Sequence, residues 1–322
     1  MLFPRSCLYL ITLAASLLLG GCDKAAQPDA FTEVAVQGVY SITLSHCGDT
    51  AVVGSLHHGG SFWTLKPANR YFDWNHQSEG YSNITSAAFS PDDDFVATSD
   101  SRTIVLWDVA TGAAIWFWNA PGDIKDMALT RHGDYALLGM DDYSATLFDI
   151  RNGGIRQRLP HDGIVYDVSL DSDGLLAATA SDDLTAVVWN LNDGRSLKTF
   201  RHENQVRTAQ LSPSGKLLFT SALRESGKIW DVRSGKLLQE LPGGRGHFTS
   251  ARFNDSETQL LTGNTSGQIQ LWSVKKGEQQ AIWRATTGKE WVGNNVPVED
   301  VAFAGTAYRA AGASGRVYFL KK

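Results

Sequence analysis

The stretch TIVLWDVATG, residues 103–112, is an apolar run broken by Trp107-Asp108 and closed by Thr111-Gly112. Nearly the same phrase returns as TLFDIRNG from 146, TAVVWNLNDG from 185 and GKIWDVRSG from 227. Its aromatic residues, Trp107, Phe148, Trp189 and Trp230, stand 41 residues apart at every step, and Trp272 follows after 42. Trp63 lies 44 before the series and Phe319 lies 47 after it. A fixed period of this length marks a repeat architecture, here of seven units.

A second marker gives the same count. Upstream of each aromatic sits an apolar pair at i, i+2, the spacing that puts both side chains on one face of a strand. The pairs are Ile42/Leu44, Ala87/Phe89, Met127/Leu129, Val168/Leu170, Ala209/Leu211, Ala251/Phe253 and Val301/Phe303. Turn-forming runs such as SPDDD at 90 and DSDG at 171 follow most of them. Within residues 165–200 the order is VYDVSL, DSDG, LLAATA, SDDL, TAVVWNL, NDG and RSLKTF. That is four short strands joined by tight turns, with Gly194 free to take positive φ. No stretch shows helical periodicity, so the expectation is all-β.

These features resemble the WD40-repeat family across residues 31–322. The period near 41, the Trp-Asp pairs at 107–108 and 230–231, and the loop histidines His76, His161, His202 and His247 carry the resemblance. It implies a seven-bladed β-propeller. The family's buried hydrogen-bond set is implied in full for one blade, at His161, Ser181, Asp183 and Trp189. Elsewhere Phe148 replaces a Trp, Asn190 and Ser273 replace the Asp, and Leu223-Arg224 stand where an acidic turn is expected. The seventh unit offers strands only at 298–303, 307–313 and 316–320, while FTEVAVQ at 31–37 alternates like a strand. The expectation is that 31–37 completes the last blade, removing an open edge and locking the ring.

The first 21 residues read as an export signal. Arg5 is followed by CLYLITLAASLLL, an apolar run too short to span a bilayer. The run ends in Leu19-Gly20-Gly21-Cys22, which resembles the bacterial lipobox, so Cys22 is expected to be lipidated and to tether the chain to a membrane through residues 22–30. Asp23, by resemblance to enteric-type lipoproteins, implies the periplasmic side of the inner membrane, with the outer membrane as alternative. Without Arg5 the formal charge of −5 becomes −6, which gives no general attraction to nucleic acid.

No catalytic signature stands out. His46-Cys47 and His57-His58 flank one strand at a separation of ~20 Å, too far to share an ion. A nucleophile elbow and a phosphate-cradling glycine loop are both missing from the sequence. Acidic pairs such as Asp141/Asp142 and Asp182/Asp183 recur at the repeat period, as structural turns do. No cofactor is expected. What remains is surface: the loop at 284–297, RATTGKEWVGNNVP, offers Trp291 as a binding anchor flanked by Arg284 and Lys289. The outer-strand aromatics Tyr71, Phe72, Trp74, Trp116 and Trp118 read as packing between units. The sequence thus points to a non-enzymatic platform for a protein or peptide partner, docked on the loop face. An enzyme or small-ligand binder at the mouth of the central channel is the rival.

Overall fold

The computed structural model describes residues 25–77, 80–243, 246–287 and 296–322. They form seven four-stranded antiparallel sheets, each running a-b-c-d in chain order except the last. Blades 1 to 6 cover residues 39–74, 86–119, 124–160, 165–201, 206–241 and 248–284, and blade 7 takes its inner three strands from 298–320. There is no α-helix among the described residues, and one 3-10 turn at Arg131–Gly133.

The fourth strand of blade 7 is Ala30–Glu33, paired antiparallel with Arg316–Leu320 from Ala30↔Phe319 to Glu33↔Arg316. The ring is therefore sealed by the chain's own early strand. That strand is shorter than the expected 31–37. Val34 and Ala35 leave the ladder, donate their N–H groups to the Gly315 carbonyl at 2.8 and 3.1 Å, and are both buried. Adjacent residues buried together break the alternation, because the chain must here cross from the outer edge of blade 7 to the innermost strand of blade 1. The expected tether is also shorter. Ala26 donates to Ile282 O and accepts from Arg284 N on the outer strand of blade 6, and Asp29 donates to Phe319 O. Residues 26–29 thus lie against the ring.

The apolar core occupies the seams between blades. Seven buried clusters fill seven interfaces, and every apolar pair of the repeat faces the preceding blade. Trp107, Phe148, Trp189, Trp230 and Trp272 do the same. Trp107 stacks on Trp74, ring centroids 5.3 Å apart, and Phe148 is covered by Trp118 at 3.9 Å, which fills the space a larger indole occupies elsewhere. Phe72, Trp74, Trp116 and Trp118 are therefore packing residues, while Tyr71 is exposed.

One marker was out of step. Phe319 pairs with Arg309 and faces blade 1, whereas Leu320, paired with Tyr308, holds the place of the other blades' aromatic. A strand alternates faces at every residue, so an error of one position reverses the seam a side chain enters. The number of blades is unaffected.

Candidate functional site: the bore and its rim

The innermost strand of each blade lines a central bore of about 1250 Å³, open toward the a–b turns. Strand a carries an irregularity in six blades. The register slips between Val39/Ser41, Ile124/Asp126, Val165/Asp167, Val206/Thr208, Phe248/Ser250 and Val298/Asp300. Each slip leaves one residue unpaired and re-aims it. The six are Tyr40, Lys125, Tyr166, Arg207, Thr249 and Glu299, collected where strands a begin, on the face of the d–a loops. Arg207 lies over the Tyr166 ring at 3.7 Å and pairs with Asp182 at 3.2 Å.

In five of these blades the residue after the slip reaches the next blade, and in blade 6 Thr249, the unpaired residue itself, donates to Val298 O. Asp126 accepts Val168 N–H at 2.9 Å, Asp167 accepts Ala209 N–H at 2.7 Å, and Asp300 accepts Leu44 N–H at 2.8 Å. Serine or threonine does related work elsewhere: Ser41 Oγ donates to Ile84 O and Thr208 Oγ1 to Phe248 O. These carboxylates are staples between blades. Arg252 neutralises Asp300 at 3.3 Å. Asp126 and Asp167 have no such cation among the described residues; enclosure by protein pushes both carboxyls up, Asp126 to about 6, and Asp167 is raised further by its acidic neighbour. A proton is therefore held more readily here than on a free aspartate.

Beneath the loop face, side chains brace the d–a loop to the sheet. In blade 4 the Trp189 indole N–H donates to Thr179 Oγ1 at 2.9 Å, and Thr179 lies 2.7 Å from His161 Nε2. His161 Nδ1 is 2.7 Å from Asp183 Oδ2. A carboxylate can only accept, so Nδ1 carries the proton and Nε2 receives the threonine hydroxyl. Burial opposes ionisation of Asp183, but hydrogen bonds from His161 and Thr185 hold its carboxyl far below the usual range.

The hydroxyl in this relay is Thr179 and not Ser181, which instead accepts Asp183 N–H at 3.2 Å. Trp189 pairs with Ala177, so its indole reaches a neighbour two residues along strand b and falls short of one four residues along. A signal for this was present: a threonine precedes each of Trp107, Trp189, Trp230 and Trp272 by nine or ten residues, and Leu138 holds that place before Phe148.

The relay is also less restricted than the sequence indicated. Blade 5 has it complete, with Trp230, Thr220 and His202 ending on Glu225 at 3.0 Å. Here the turn shifts by one residue, Arg224 takes positive φ, and the longer glutamate covers the difference. Burial raises the Glu225 carboxyl, yet Lys228 and His202 bring it down to about 2, while burial pulls the His202 ring below the usual histidine range. Blade 2 has Trp107, Thr98 and His76, but Asp100 stays 3.6 Å from the ring. Blade 6 keeps only Trp272 to Thr262.

Of the expected partner-binding residues, Lys289 and Trp291 lie outside the described residues, as does Cys22. Arg284 ends the outer strand of blade 6, where its backbone N–H meets Ala26, at the rim of the ring. Cys47 is a free, exposed thiol in the first a–b turn. Asp92 and Asp93, in the SPDDD turn, clip both neighbouring blades: Asp93 accepts the N–H groups of His46 and Cys47, and Asp92 that of His132.

With this geometry established, comparison with protein families finds the WD40 pattern, described as WD domain, G-beta repeat, at residues 74–108, 155–190, 194–231 and 235–273. The chain is a seven-bladed β-propeller, four stretches of which match the WD40 repeat. Each matched stretch starts in or near the outer strand of one blade and ends at the aromatic of the next, so it ties two blades together. The unmatched blades 1, 3 and 7 are those that lack the Thr–Trp pair. No match is found among curated proteins.

Proposed function

We propose that this chain is a membrane-anchored, extracytoplasmic propeller that docks a protein or peptide partner on the d–a loop face and performs no chemistry itself. The observation that carries this reading is the ring of bulged residues. Six blades carry a sheet irregularity that leaves one residue outside the ladder near the loop face, and two of these are tyrosines and two are cations, while Thr249 bonds Val298 O of the next blade. Aromatic and arginine side chains on a rigid support are the residues that dominate protein contacts. In sequence, Trp291 and Lys289 stand shortly before Glu299.

The rival reading needs convergent ionisable groups in the bore, and the bore holds Asp126, Asp167, Arg252 and Asp300 from four blades. Each of the three carboxylates is already engaged by a backbone N–H of the following blade, which favours stapling over catalysis. The anchor is Cys22, acylated after removal of residues 1–21, and Asp23 favours the inner membrane with the outer membrane as alternative. Crosslinking in intact cells with identification of captured proteins tests the docking. Partner yield is expected to fall at least severalfold with Tyr166→Ala/Arg207→Ala and with Trp291→Ala. Unchanged capture by both variants would remove the loop face as the site.

A further inference from the structure

The chain joins the ring at one outer corner, and that corner is basic. Ala26 is bridged to Trp283 on the outer strand of blade 6, and the Trp283 indole donates to the Lys321 carbonyl of blade 7 at 3.1 Å. Lys66, from the c–d turn of blade 1, lies over the Phe319 ring of blade 7 at 4.2 Å. The c–d corners of blades 7 and 1 thus meet beside the incoming chain, and they present Lys321, Lys322 and Lys66, all exposed. Asp29 lies in the same corner. The excess is still positive, in a chain whose formal charge is −5. The corresponding turns of blades 3 and 4 pair each cation with an acid, Arg151 with Asp134 and Arg195 with Asp193.

We infer that this corner is a membrane-facing edge that seats on anionic lipid headgroups. The inference rests on the anchoring at Cys22 proposed above and adds an orientation to it. From Cys22 to Ala26 are four Cα steps, a reach of at most about 14 Å. An acylated Cys22 therefore holds the blade 6–7 corner within little more than a Debye length of the bilayer surface, where lysines gain from a negative leaflet.

The test uses a chain beginning at residue 22 with Cys22→Ser, since the ring closes from Ala30 onward and needs nothing before it. Its sedimentation is followed at low salt with phosphatidylcholine vesicles, and with vesicles containing roughly a third phosphatidylglycerol. Binding is expected only to the anionic vesicles. Each lysine contributes roughly fivefold near such a surface, so Lys66→Glu/Lys321→Glu/Lys322→Glu should weaken partition by roughly a hundredfold or more. Arg151→Glu/Arg195→Glu, on the far rim, should leave it within about twofold. A melting curve checks that the variants fold, and lysine-to-glutamine versions, with an intermediate loss expected, stand in for any that do not. Failure to prefer anionic vesicles, or equal losses from both rims, overturns the edge. Labelling of the full chain with radioactive palmitate, with and without Cys22→Ser, reads the anchor separately. No label at Cys22 together with intact vesicle binding would remove the anchor and keep the basic edge; label without vesicle binding would do the reverse.

Discussion

Blade 4 is cross-braced from within: Trp189, Thr179, His161 and Asp183 run as one relay from strand c through strand b to the d–a loop. In blade 7 the matching positions are Leu320 and Ala310, which have no hydrogen to give or receive, and the outer strand comes from the other end of the chain. Blade 7 lacks the relay, as blades 1 and 3 do, and is the one completed by ring closure. Both blades keep a four-stranded backbone ladder; blade 4 adds a buried polar relay to it, and blade 7 adds a strand from the far end of the chain.

The sharpest way to break this contrast is to remove residues 25–33. Blade 7 then exposes a bare edge and its seam with blade 1 opens, so the melting temperature should drop by more than about 10 °C. Next comes Trp189→Ala, which empties a buried indole from the blade 3–4 seam and should cost about 3–5 kcal/mol in a denaturant titration. Thr179→Val keeps the volume but strands both the indole N–H and the His161 ring, and about 1–3 kcal/mol is expected. Ser181→Ala should cost clearly less than Thr179→Val, and a reversed order would discard the relay as described.

A smaller effect separates the staples in the bore from the braces beneath the loops. The native Asp126 carboxyl titrates above its unfolded value, so its contribution to stability is full at acid pH and is lost as pH rises from about 4 through about 6. Asp183 and Glu225 run the opposite way: their contribution is present above the unfolded carboxylate range and lost as pH falls. Asp126→Asn can still accept Val168 N–H but removes one of two neighbouring charges. It should therefore be neutral or stabilising by about 1 kcal/mol at pH 8, with no gain at pH 4. Destabilisation at pH 8 equal to that at pH 4 would contradict a raised carboxyl.

Much of this fold was legible because repetition supplies its own check. Two unrelated markers, the aromatic and the apolar pair, share one period, and both face the preceding blade throughout blades 1 to 6. Closure was legible because a four-stranded unit with three strands needs a fourth. The errors arose where a single residue decides a side. Phe319 is aromatic and so marks its unit one place early, and Ser181 enters the expected set by residue type alone, because a family pattern does not trace the pairing of Trp189 with Ala177. Glu225 was missed because a turn of different phase lets a longer acid reach the same histidine. The basic corner was illegible for another reason: Lys66 and Lys321 are far apart in sequence, and only the closed ring makes them neighbours.

The central claim is closure by the early strand, and backbone amide hydrogen exchange tests it most directly. Amides bonded between Ala30–Glu33 and Arg316–Leu320 should exchange slowly and together with those of the inner strands of blade 7. Free-chain exchange at residues 30–33, with the rest of the ring protected, would contradict it.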